Sequence, residues 1–176
     1  MRLVLIGPRG AGKSRLARGL AGAFALPRVS SDEEITRAVG SSIAEFVAAN
    51  GWSAFRETET VVLETILRDH PGDLLLDAGG GLVVAQRNRE MLRGFDARIF
   101  LTANIEALAA RIARDHDRPP LTDADDPVEE VRRVLAEREP IYRSLADLTI
   151  DTSDISPGET LAAAAEWVRA HVENRP

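Results

Sequence analysis

The chain of 176 residues contains no cysteine, only three histidines, and a single lysine, Lys13, among its 22 basic residues. The first absence excludes disulfides, thiolate zinc sites and a cysteine nucleophile, and three scattered histidines leave no basis for a protein-built transition-metal site. Long apolar runs are missing too. None reaches the roughly 20 residues needed to cross a bilayer, and the chain passes from Met1-Arg2 straight into a short strand pattern with no export signature. A cytoplasmic address without membrane contact is therefore expected. There is also no basic excess: a net charge of −6 gives no general attraction for nucleic acid, so any bound anion must be met by local charge.

What is present is ordinary for a globular protein, with 44% hydrophobic and 28% charged residues. At this length one domain spanning 1–176 is expected. Short apolar runs alternate with segments of helical periodicity. "RLVLIG", "LPRVSSD", "DLLLDAGGG", "ARIFLTA" and "DLTIDT" read as strands. "KSRLARGLAGAF", "IEALAARIARD" and "SPGETLAAAAEWVRAHV" read as helices. "SSIAEFVAANG" and "WSAFRETETVVLETILRDH" read as two helices parted at Asn50-Gly51, and "DPVEEVRRVLAEREPIYRSLA" as one long helix that Pro140 interrupts or kinks. The alternation predicts an α/β fold, a three-layer sandwich with a parallel β-sheet and ligands gathered beyond the carboxyl ends of its strands.

The lone lysine lies in "GPRGAGKS", where Gly7, Gly12, Lys13 and Ser14 satisfy G-x-x-x-x-G-K-[ST] between a strand and a helix. That context suits a loop whose backbone N–H groups and helix N-terminus surround phosphates. Lys13 then reaches the β- and γ-phosphates of a nucleoside triphosphate and the Ser14 hydroxyl ligates Mg²⁺, a pattern shared by GTPases, motor ATPases and small-molecule kinases. The nucleotide-binding stretch is Gly10, Ala11, Gly12, Lys13, Ser14 and Arg15. A glycine-rich turn with an exposed lysine is the plain alternative.

A phosphoryl acceptor must be fixed in line with the γ-phosphate. Asp32 follows the second strand, on the ligand side, though it reads equally as a helix N-cap. Arg56 and Glu59 stand three apart on one helix, so Glu59 can steady the guanidinium; a surface ion pair has the same spacing. Gly79, Gly80 and Gly81 follow a strand and offer backbone donors, or simply turn the chain. Arg138 lies beside Pro140 and Tyr142.

Taken together, and in order, these segments resemble the shikimate kinase family along nearly the whole chain. "SSD" resembles its D-x-D, Phe55 to Glu59 its FRxxE, Gly79 to Gly81 its GGG, "RPPL" its lid, and "REPIYRSLAD" its RxPLYxxxAD. The resemblance implies a P-loop NTPase fold of nucleoside-monophosphate-kinase type and transfer of the ATP γ-phosphate to the shikimate 3-hydroxyl, a step toward aromatic amino acids. It implies that Asp32 binds ring hydroxyls and accepts a proton, and that Arg56 and Arg138 clamp the carboxylate while Gly79 to Gly81 make backbone contacts. Arg118, on a lid at about 113–127, would close over the transferring phosphate. Arg111 and Pro157 would flank the adenine, helices at about 32–70 would form the acceptor side, and the family is monomeric.

One position departs. Where the family carries an acidic residue that serves Mg²⁺ through water, this chain has Ser30, and Asp77, at the end of the third strand, is expected to take over the metal's water shell. A kinase of gluconate, a cyclitol or a nucleoside monophosphate, or a nucleotide-binding regulatory domain without turnover, remain as alternatives.

Overall fold

The computed structural model describes residues 1–113 and 126–173. β1 (Arg2–Ile6) leads through the glycine loop into α1 (Lys13–Phe24), and β2 (Arg28–Ser30) runs directly into α2 (Ser31–Val39) and α3 (Ile43–Asp69). There follow β3 (Leu74–Asp77), α4 (Gln86–Leu92), β4 (Ala97–Thr102), α5 (Ile105–Ile112), α6 (Pro127–Leu145), β5 (Leu148–Asp151) and α7 (Pro157–Val168), closed by a π-helical turn at Arg169–Glu173. The five strands pair in the order β2-β3-β1-β4-β5, all parallel. The expected α/β sandwich is observed.

Strand residues alternate between two cores, as a sheet covered on both faces requires. Leu3, Leu5, Leu75, Ile99 and Leu101 pack with α1, α5 and α7. Val4, Ile6, Leu74, Leu76 and Phe100 pack with α2, α3 and α4. Among the described helices, α6 alone adds buried residues to both cores: Val131 and Leu135 to the first, Tyr142 and Leu145 to the second.

Three local readings are refined. The helix break is where Asn50-Gly51 places it, since Gly51 has φ 81 and ψ 168 inside α3 and the Asn50 amide donates to the Phe46 carbonyl. Pro140, by contrast, does not interrupt α6, which continues to Leu145. Proline removes one helical N–H, but burial of Leu135 before it and Tyr142 after it holds the helix together. Asp32 is not an N-cap. The Ser30 hydroxyl caps α2 by accepting from the Glu33 N–H at 3.4 Å, and Asp32 sits in the first turn.

Candidate functional site

The carboxyl ends of the strands bring the chemically active residues to one edge. β1 ends at the glycine loop, where the backbone passes so close to β4 that a Cβ on Gly7 (φ 140) would overlap the Leu101 carbonyl. Gly12 (φ 94) then opens α1. Lys13 is buried, and its ammonium donates to the Gly7 and Pro8 carbonyls at 2.9 Å each, curling back over the loop that it serves. Gly10, Gly12, Lys13, Ser14 and Arg15 line a hollow closed on the far side by Ser30, Asp32 and Asp77.

Asp77 is 4% exposed, and register sets it directly opposite Ser30 on β2 and Leu5 on β1. Burial pushes its carboxyl above the usual range; nearby Lys13 and a hydrogen bond from the Ser14 hydroxyl oppose that shift. An Arg28 nitrogen stands 3.7 Å from Asp77 while the same guanidinium holds Glu33 at 3.0 Å. A carboxylate touching the P-loop serine fits a Mg²⁺ site of few protein ligands, the usual arrangement when phosphates and water complete the octahedron. No cluster of three or more acidic or histidine ligands exists among the described residues.

On the β4–β5 side a second hollow is lined by Gly10, Gly12, Arg15, Arg111, Thr152 and Pro157. Arg111 is fastened there. It donates to the Gly10 carbonyl at 3.2 Å, the Thr152 hydroxyl at 3.0 Å and the Thr152 carbonyl at 2.8 Å. The Thr152 hydroxyl also lies 3.2 Å from the Ala11 carbonyl, so β5 is tied to the phosphate loop. Arg111 and Pro157 thus share one pocket next to the loop.

A third cleft lies on the β2–β3 side, walled by Asp32, Trp52, Phe55, Arg56, Gly80, Gly81 and Arg138 among others. Arg56 pairs with Glu59, which is only 2% exposed, and its guanidinium stands over Trp52 at 5.3 Å and Phe55 at 5.5 Å. Burial raises the Glu59 carboxyl above its ordinary range, and the Arg56 charge works against that. Arg138 is 7% exposed; it donates to the Gly80 carbonyl at 3.4 Å, and its Nε is buried with no hydrogen-bond partner among the described residues. Glu59 lies within electrostatic reach of Arg56, Asp32 and Arg138, and both arginines line this one cleft.

The glycine triplet does more than turn the chain. A Cβ on Gly79 would collide with the Asp32 carboxylate, and one on Gly81 with the Arg56 guanidinium. These glycines make room for functional side chains. The Gly79 N–H is committed to the Ser31 hydroxyl at 2.8 Å, which removes it from the expected set of acceptor-facing donors. Gly80 and Gly81 remain at the cleft wall.

Asp32 and Arg9 line both this cleft and the phosphate hollow, which places them at the junction of the two. Arg9 went unread in the sequence because it occupies a variable position of the P-loop motif. Trp52, Ser31 and Thr152 were also missed. Trp52 lies four residues before Arg56 on α3, a helical spacing that shares its face; Ser31 and Thr152 give no comparable signal. Arg118 and most of the lid lie outside the described residues.

A phosphate loop after the central strand of a parallel sheet, with one hollow on each side of it, defines a P-loop phosphotransferase with a small-molecule acceptor. The family model for shikimate kinase matches residues 9–169, and the chain belongs to the shikimate kinase family. A shikimate kinase of Xanthomonas euvesicatoria is 40% identical over 173 residues, covering 94% of this chain and 93% of the relative. One of Pseudomonas savastanoi is 39% identical over 168 residues, covering 93% and 96% respectively. Among solved structures, the shikimate kinase of Acinetobacter baumannii in complex with shikimate superposes with a TM-score of 0.89 at 31% identity, covering 97% of this chain and 93% of that one.

Proposed function

We propose that the chain transfers the γ-phosphoryl group of ATP to the 3-hydroxyl of shikimate, giving shikimate 3-phosphate and ADP. The observation that carries this reading is the single cleft that Arg56 and Arg138 line together with Gly80 and Gly81. Two guanidiniums suit a planar carboxylate, which accepts their paired N–H groups. With the carboxylate there, a ring hydroxyl reaches toward Asp32 at the junction with the phosphate hollow. The hydroxyl oxygen attacks the γ-phosphorus, the bond from that phosphorus to the bridging oxygen breaks to release ADP, and Asp32 takes the hydroxyl proton. Lys13 draws the β- and γ-phosphates into the loop, Arg118 closes over them to exclude water, and Arg111 and Pro157 flank the adenine. Ser14 and Asp77 would hold Mg²⁺, Asp77 through water; the ion supplies charge neutralisation on the phosphates.

The partners are small molecules only, and the working form is a cytoplasmic monomer. No described helix is long and apolar enough to cross a membrane.

A coupled assay of ADP release with shikimate, gluconate and AMP as acceptors tests the reading. Turnover is expected with shikimate. Turnover with gluconate or AMP instead would transfer the acceptor site to another substrate, and none with any of the three would favour a regulatory nucleotide-binding domain.

The metal assignment makes its own forecast. Asp77→Asn is expected to raise the Mg²⁺ concentration for half-maximal rate by roughly 10- to 100-fold, the usual cost of losing an outer-sphere partner. Shikimate affinity, measured calorimetrically without nucleotide, should change little. An unaltered Mg²⁺ dependence would return Asp77 to a purely structural role beside Ser14.

A further inference from the structure

The chain has one tyrosine, Tyr142, and the mechanism above gives it nothing to do. It is 1% exposed, stacked on Phe100 with ring centroids 5.1 Å apart, and its hydroxyl donates to the Gly80 carbonyl at 2.5 Å. Arg138, one helical turn earlier on α6, donates to the same carbonyl at 3.4 Å, and its charge lies within electrostatic reach of the Tyr142 hydroxyl. We propose that Tyr142 is a positioning residue for the acceptor, fixing through the Gly80 carbonyl both the direction of the Gly81 N–H and the aim of Arg138.

The physical reason lies in the peptide between Gly80 and Gly81. Glycines carry no side chain to restrain their backbone, yet this peptide forms part of the cleft wall. Its neighbours are tied elsewhere: Ser31 holds the Gly79 N–H, and the Leu82 and Val84 N–H groups hold the Gly79 and Gly81 carbonyls. The Gly80 carbonyl is held by α6. Because a trans peptide is planar, with its C=O and N–H pointing to opposite edges, a carbonyl drawn toward the buried ring turns the Gly81 N–H away from it. The shared Gly80 carbonyl also ties Arg138 to the point that Tyr142 fixes. Burial pushes the Tyr142 hydroxyl up to about 12, so it remains a donor throughout the range in which such an enzyme works.

The inference rests on the shikimate reading, and the experiment separates the two. Tyr142→Phe keeps the stacked ring and removes only the hydroxyl. Its KM for shikimate is expected to rise about 3- to 15-fold, the worth of one buried hydrogen bond, with the KM for ATP unchanged and kcat lowered less than the shikimate KM is raised. Phe100→Leu thins the stack and spares the hydroxyl, so its shikimate KM should stay near the wild-type value. Equal shifts in both variants would make Tyr142 a packing residue and overturn the proposal, as would an unshifted Tyr142→Phe. In the wild-type protein, isotope-labelled tyrosine yields a single ring spin system; adding shikimate without nucleotide should shift it, and an unmoved signal counts against the proposal even if Tyr142→Phe fails to fold. Failure of the wild-type protein to phosphorylate shikimate would instead defeat the functional reading itself.

Discussion

Replacing Arg138 with alanine is expected to weaken shikimate binding by about 2–5 kcal/mol, on the order of 30- to several-thousand-fold, while ATP affinity holds. The magnitude follows from burial. Arg138 is 7% exposed and lines the same cleft as Arg56, so a carboxylate bound between the two arginines would lose a desolvated partner rather than a screened surface charge. Isothermal titration with shikimate and with ATP, each alone, checks it. Arg138→Lys should recover only part of the loss, because a single ammonium cannot match the guanidinium fork. A variant that lost ATP affinity and kept shikimate would place the acceptor elsewhere.

Asp32→Asn should do its damage in the chemical step. A side chain that takes the proton from an attacking hydroxyl is worth about 10²- to 10⁴-fold in rate, and asparagine keeps the shape of aspartate without its basicity. Shape matters at this position, since the carboxylate rests against Gly79 with no space for a Cβ between them. Single-turnover measurement with saturating substrates should therefore show a collapse in rate, with shikimate affinity within about tenfold of wild type; a loss in rate smaller than about tenfold would remove Asp32 as proton acceptor.

Much of this site was legible because its residues obey local rules. The P-loop declares itself by spacing, and Gly51 marks the break in α3 through a backbone conformation that side chains avoid. Arg56 and Glu59 announce their pairing by helical periodicity. Other features depend on distant partners and left no local trace. The triplet at Gly79 to Gly81 looked like a source of donors, whereas two of its members are glycine because side chains from α2 and α3 occupy the space. Ser30 stood out only as a departure from the family's acidic residue; in the fold it caps α2, a role visible only once that helix is seen to start at Ser31. The seven-residue α4 was not anticipated, being a short helix whose stability comes from packing rather than from periodicity. Pro140 was expected to interrupt or kink the long helix, and burial against two cores keeps that helix continuous to Leu145.

The double footing of α6 bears on how relatives of this protein can be recombined. Val131 and Leu135 match the residues of one sheet face, and Tyr142 and Leu145 those of the other. A hybrid joined inside this helix would inherit its two footings from different parents, each shaped for a sheet the other parent never had. Crossovers placed before Asp126 or after Ala146 keep the segment with a single lineage, and hybrids made that way should be recovered folded more often.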